Sequence, residues 1–434
     1  MACKKLGVNI TRRLALLGGA TILSGSVANA PWPSQLAARR LDAATSIASP
    51  VPTAVTTACA PPAPGSAQLG GFPRTVQLGG IVRGLVMSER TNHAFAFIEC
   101  TQSTSFIAML DAQSGAVLRT LSVPGIFLRP VVDDQANRLL VQVFTVGNGG
   151  DRGKVLVIDT RNDHLLATVQ LLPAPMAVDG VAGLAFIQTG DAIVALDVRT
   201  GRLLPGFAIP NAPTFFVDSR HHWVYTVDAA RLTAFDVHTG RELWHQRIHP
   251  CDGSLVTVVA FTQRLFLSAG GYIDNRLGQS KHGHFCVVDP QTRRLLHTVD
   301  EGRGNVLRIL AVDQRAGVVV AGHGTVEISG ATPPIFTVFV TILDPRDGRV
   351  VGRPGIEADA DVAVADSRTG NVYLLQRGFH TATVLMLDPH GWRSTVLAQS
   401  VQATTMALAS RVHRLFLASP FSDTVTMLCT DKTC

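Results

Sequence analysis

The sequence predicts an all-β fold, a β-propeller of eight four-stranded blades, and three observations carry that prediction. One hairpin skeleton recurs along the chain: an apolar run ends in Asp, a short polar turn with Gly follows, and a second apolar run begins. Its fullest copy is Ala234-Phe235-Asp236-Val237-His238-Thr239-Gly240-Arg241-Glu242-Leu243-Trp244. A second polar reversal precedes these hairpins, as in Val217-Asp218-Ser219-Arg220-His221-His222-Trp223-Val224-Tyr225. The repeating unit is roughly 40 to 55 residues long, enough for four short antiparallel strands.

Each part of the skeleton has a local reason. Asp at the first turn position hydrogen-bonds back to its own backbone, and Gly supplies the positive φ of a strand reversal. The turn Asp falls at Asp111, Asp159, Asp197, Asp236, Asp289, Asp344 and Asp388. An eighth set of inner strands, at 405–409, 415–418 and 425–428, lacks an outer strand. The segment 74–78 precedes the first complete blade and has the character of that missing strand, so pairing the two closes the ring and removes an exposed edge. Seven blades is the alternative, if the irregular unit 173–197 merges with a neighbour.

The 434 residues are 46% hydrophobic and only 16% charged, which suits short strands packed face to face and excludes a disordered chain. The formal charge of +6 comes from scattered Arg rather than Lys/Arg runs, so nucleic acid is not an expected partner. Before the repeats, Lys4, Lys5, Arg12 and Arg13 precede an apolar run at 14–23 and small residues through Ala30. This reads as an export signal, residues 1–30, with cleavage after Ala28 fitting best and an uncleaved anchor as the alternative. Thr11-Arg12-Arg13-Leu14-Ala15-Leu16 resembles the twin-arginine signal, with Ala15 where that signal usually has Phe. Residues 31–73 are rich in Pro, Ala, Ser and Thr and read as a linker. The propeller occupies 74–434. Membrane contact is expected only through the N-terminal segment, and a monomer is expected.

From residue 74 onward the repeats resemble the YVTN-type propellers, within the quinoprotein-dehydrogenase-like superfamily. The shared features are the Val-Asp turn, the Val-Tyr strand and the strand ending in Asp. Blade 4 also resembles the quinoprotein tryptophan-docking pattern at Ala234, Asp236, Thr239, Gly240 and Trp244. That resemblance gives Trp244 a structural role, locking one blade onto the next, and gives it no cofactor. A quinone dehydrogenase would carry the Trp pattern in most blades and often a vicinal Cys pair; neither is present.

No Gly-x-Ser-x-Gly elbow, His-Glu-x-x-His, phosphate loop or Cys-x-x-Cys occurs. The one polar constellation lies in loops that share a rim by strand order. His282 and His284 alternate before a strand of blade 5, His323 follows a strand of blade 6, and His380 does so in blade 7. Asp274, Lys281 and Arg377 lie in the same loops. Imidazoles from adjacent blades can converge on a metal or an anion; solvated loop histidines are the plain alternative. The insertions 270–283 and 324–334 are the longest, and function concentrates in such loops. Of seven Cys, six remain after signal removal, with Cys251 and Cys286 the first choice for a disulfide and free thiols the alternative.

The sequence thus points to an exported, non-catalytic propeller that binds a protein or small-molecule ligand at its rim, with no cofactor expected. The alternative is an exported oxidoreductase with a quinone or metal at the rim of blades 5 to 7.

Overall fold

A computed structural model describes residues 61–62 and 72–431, apart from 101–103, 146–151, 229–230, 250, 252–254, 262–263, 270–271, 275–278, 304, 314–316, 326, 329–337, 357–359, 378–380 and 389–392. The export signal, most of the linker and His380 lie outside the described residues. So do the side chains of Asp274, Lys281 and Arg377.

Eight separate sheets follow one another along the chain, and the described residues contain no helix. Blades 1 to 8 span residues 81–123, 126–170, 176–210, 214–247, 255–303, 305–352, 360–401 and 405–429. Within each, consecutive strands pair antiparallel, and the innermost strand packs on the innermost strands of both neighbouring blades. The irregular unit of blade 3 is a blade of its own. Its outer position is divided between Arg202–Leu203 and Ile209–Pro210, which both pair with Ala192–Asp197.

The eighth blade takes its outer strand from the start of the repeats. Arg74–Gln77 pairs antiparallel with Thr424–Cys429, Arg74 opposite Met427 and Gln77 opposite Thr424. The Leu78 amide donates to the Asp423 carbonyl at 2.8 Å, which extends the pairing by one rung.

Packing explains why the strands read as near-continuous apolar runs. Side chains alternate along a strand, so a blade sandwiched between two others presents apolar residues on both faces. Leu139, Val141 and Val143 of blade 2 pack with Phe95 and Phe97 of blade 1, whereas Leu140 packs with Met176 and Ile187 of blade 3. Every junction between successive blades has such a cluster, and so does the junction of blade 8 with blade 1, where Phe416 and Met427 meet Val82, Leu85 and Ala96. Polar bonds reinforce the junctions on one rim: Ser88 Oγ donates to Asp134 at 2.6 Å, and the Ser410 amide donates to Glu89 at 2.7 Å.

The turn Asp behaves as its chemistry dictates. Asp236 Oδ1 accepts from the amides of His238 and Thr239 at 3.1 and 2.8 Å and from Thr239 Oγ1 at 2.8 Å. Asp111 repeats this with Gln113 and Ser114. The turn Gly does more than supply positive φ, because it abuts the preceding blade. Gly348 of blade 6 has φ +76°, and a Cβ there would overlap Val287 and lie 2.9 Å from Phe285 Cε1 of blade 5. Gly348→Ala is therefore expected to cost about 2 kcal/mol or more, through left-handed strain and overpacking together. A lowered urea midpoint at unchanged m-value would register it.

Because strands alternate in direction, both kinds of polar reversal fall on one rim, the turn rim. The loops between second and third strands, and the connections between blades, fall on the other, the loop rim.

Candidate functional site

The loop rim departs furthest from the repeat at blades 5 and 6. There the third strand of blade 5, Gln279–Asp289, runs beyond the blade. Its overhang pairs with Tyr272–Asp274, which pairs in parallel with Glu327–Ile328 from the insertion of blade 6. The two longest insertions thus share one small sheet above the ring. Asp274 stands opposite Gln279, and Lys281 opposite Tyr272, within it.

His282 and His284 sit two apart on the overhanging strand and face the same way. Their rings stack at 6.4 Å between centroids with 28° between planes. His282 Nδ1 lies 2.9 Å from both carboxylate oxygens of Asp300, on the paired strand Arg294–Arg303, and both side chains are exposed. Asp300 is a partner that sequence reading did not identify; its register opposite His284 only emerges once the strand pairing is known. His284 is half-buried, and its Nδ1 makes no hydrogen bond among the described residues. His323 belongs to the next blade, on Val318–Thr325 between Leu307 and Phe339. Burial, assisted by the Arg353 guanidinium, holds its pKa below the ordinary imidazole value.

The structure therefore joins His282, His284 and Asp300 directly, places His323 one blade away on the same rim, and puts Asp274 and Lys281 in the adjoining sheet. Arg377 ends the strand Val372–Arg377 at this rim in blade 7. Among the described residues no group of three or more His, Cys, Asp or Glu side chains is placed to hold a metal ion. The arrangement offers an exposed imidazole–carboxylate couple and stacked ring faces on a strand pair.

Beneath this platform Cys251 and Cys286 form a disulfide with Cα atoms 6.4 Å apart, tying the connection from blade 4 to the third strand of blade 5. Cys100 and Cys429, at opposite rims, each take part in a separate disulfide as well. Trp244 is buried in the cluster that blades 4 and 5 share, edge-on to Trp223 and Tyr225. The Arg293 guanidinium of blade 5 lies over its ring at 5.8 Å.

A second polar feature, on the turn rim, went unread in the sequence beyond its role in turns. Inner strands end in buried carboxylates, among them Asp133, Asp179 and Asp218. Asp133 Oδ1 accepts from the amides of Gln135 and Ala136, at 2.9 and 3.0 Å, while its buried Oδ2 has no hydrogen-bond partner among the described residues. Burial raises the Asp133 pKa against the two amide bonds, and Asp134 and Asp179 add repulsion. A raised folded-state pKa means that ionisation costs stability: the penalty is absent below the unfolded pKa near 3.9 and grows as pH rises through the folded value. Asp133→Asn keeps the Oδ1 acceptor and removes the charge. It is expected to stabilise the fold by about 1 kcal/mol at pH 7, read as a higher urea midpoint, and to have no such effect near pH 3. A lower midpoint at pH 7 would contradict this.

Fold and site together define an eight-bladed β-propeller with an elaborated loop rim. The family described as "Outer membrane protein assembly factor BamB" (PQQ_2) matches residues 190–411, and the chain belongs to that family. No curated protein matches the sequence. Among solved structures, BamB from Moraxella catarrhalis is similar at 15% identity and TM-score 0.50, covering 82% of this chain and 98% of that one. The C-terminal WD40 domain of Sif2 is similar at 7% identity and TM-score 0.52, covering 81% and 96%. The dihydro-heme d1 dehydrogenase NirN, in complex with DHE, is similar at 12% identity and TM-score 0.53, covering 82% and 78%. At such identities these likenesses establish the fold alone.

Proposed function

We propose that the chain is an exported, non-catalytic propeller of the cell envelope that binds a protein partner through the loop rim of blades 5 and 6. One observation carries the reading: insertions from two blades are joined in a single strand platform that contributes nothing to the ring itself. It presents His282 and Asp300 to solvent, and Glu327–Ile328 is the end strand of its sheet. A sheet edge accompanied by exposed polar side chains suits a protein surface or an extended segment. Membership of a family described as an outer membrane assembly factor supports both the envelope location and a partner that is a protein. The basic N-terminal segment with its apolar run supports export. The repeats' resemblance to YVTN-type propellers fits the same setting.

The competing class, an oxidoreductase with a quinone or metal on this rim, is separated by the composition of the purified protein. Elemental analysis and an absorption spectrum are made on full-length chain recovered without chelator. A colourless, metal-free protein is expected. A near-stoichiometric metal that disappears in the His282→Ala/His284→Ala/His323→Ala variant would overturn the non-catalytic reading.

A further inference from the structure

The turn rim carries a pattern that neither the fold nor the loop-rim site uses. After the turn Asp, nearby positions hold Arg, and the outer strand that follows opens on an exposed aliphatic residue. Blade 3 shows Arg199, Arg202 and Leu203, blade 4 shows Arg241 and Leu243, and blade 6 shows Arg346 and Val350, all exposed. The aliphatic position recurs at Leu118, Leu165 and Leu296, 39%, 48% and 42% exposed, in blades 1, 2 and 5.

The carboxylates of the same turns point the other way. Asp197 Oδ1 accepts from the Arg199 and Thr200 amides at 2.8 and 3.2 Å, and Asp344 Oδ1 from the Arg346 amide at 2.7 Å. Their charge is thus directed into the turn, and the guanidiniums are left outermost. The exposed carboxylates of this rim include Asp347, which pairs with Arg349, and Glu242, which pairs with Arg231. Arg199, Arg202, Arg241 and Arg346 make no ion pair among the described residues. A rim assembled from equal numbers of acids and bases would be neutral; this one is layered, with donors facing solvent.

We propose that the turn rim docks onto an anionic phospholipid bilayer, with guanidiniums on headgroup phosphates and the aliphatic positions at the boundary with the acyl chains. The combination of basic and aliphatic side chains is that of an interfacial surface. Its distribution matters too, since the pattern recurs around the ring instead of lining one groove, as a flat, extended counter-surface requires. The entry of the chain agrees. Arg74 stands opposite Met427, near the turn-rim end of Thr424–Cys429. The chain therefore enters the ring at residue 74 from this side. The bilayer contact then lies opposite the loop-rim platform, which leaves that platform facing away from the membrane. This extends the sequence expectation, in which only the N-terminal segment met a membrane.

The test is co-sedimentation of the full chain with phosphatidylcholine vesicles, with and without phosphatidylglycerol. Each Arg at an anionic surface is worth about 1 kcal/mol, roughly fivefold in partitioning. The Arg199→Gln/Arg202→Gln/Arg241→Gln/Arg346→Gln variant is expected to lose on the order of 10³-fold of its phosphatidylglycerol-dependent binding. The loop-rim variant Arg247→Gln/Arg353→Gln is expected to bind within about twofold of wild type. Leu203→Ser/Leu243→Ser is expected to weaken the binding that survives at high salt. All the replaced residues are exposed, so thermal melting confirms that each variant folds. Equal binding to both vesicle types overturns the proposal, as does equal loss in the two Arg variants. Binding to polyglutamate without a preference for anionic vesicles would assign the rim to an acidic protein and overturn it as well.

Discussion

Val76→Asp is expected to open the ring and lower stability by about 4 kcal/mol or more, the cost of an unpaired charge in an apolar junction. Val76 is 1% exposed and lies opposite Val425, in the cluster that joins blade 8 to blade 1. A charge there cannot reach solvent without unpairing Arg74–Gln77, and an unpaired strand leaves the Thr424–Cys429 edge open. The measurement is urea unfolding with Val76→Ala as the size control. Val76→Ala is expected to lose only about 2 kcal/mol, because it removes packing and keeps the strand. An Asp variant no worse than the Ala variant would mean that Arg74–Gln77 is dispensable for closure.

Trp244→Ala is expected to cost about 3 to 5 kcal/mol, the range for truncating a buried aromatic. Trp244 packs against Tyr225 and Trp223 on its own blade and shares a cluster with Leu265, Leu267 and the Cys251–Cys286 pair. Its loss hollows the junction beneath the loop-rim platform, so platform and ring are expected to loosen together. Trp244→Phe is expected to recover more than half of the loss, because the indole Nε1 makes no hydrogen bond among the described residues. Chemical denaturation of the three proteins under non-reducing conditions checks both values. Equal loss in the Phe and Ala variants would show that the indole nitrogen, and not ring volume, matters.

The blade number was legible in the sequence because each blade is built from local signals. An Asp that caps its own turn, as Asp236 and Asp111 do, leaves the same residue pattern wherever the hairpin recurs. Strand alternation was less informative, since residues such as Leu139 and Leu140 are both buried, against different neighbours. The missing outer strand of blade 8 could be inferred only by counting, as its partners lie more than 300 residues apart in the chain. The candidate site was legible in part. That His282 and His284 face one way follows from strand geometry, and their stacking is consistent with it. Asp300 was invisible because register across a bulged strand pair depends on tertiary packing. The layered charge of the turn rim was likewise hidden: a formal charge of +6 says nothing about which charges face inward.

The most direct test of the binding role is site-specific photo-crosslinking of the full chain in living cells, with the reactive residue placed at position 282, 300 or 113. His282 and Asp300 belong to the loop-rim platform, and Gln113 is exposed on the opposite rim. A discrete protein adduct of one mass from positions 282 and 300, and none from 113, is the result this account predicts. A protein adduct from 113 alone, or none from 282 and 300, would contradict it.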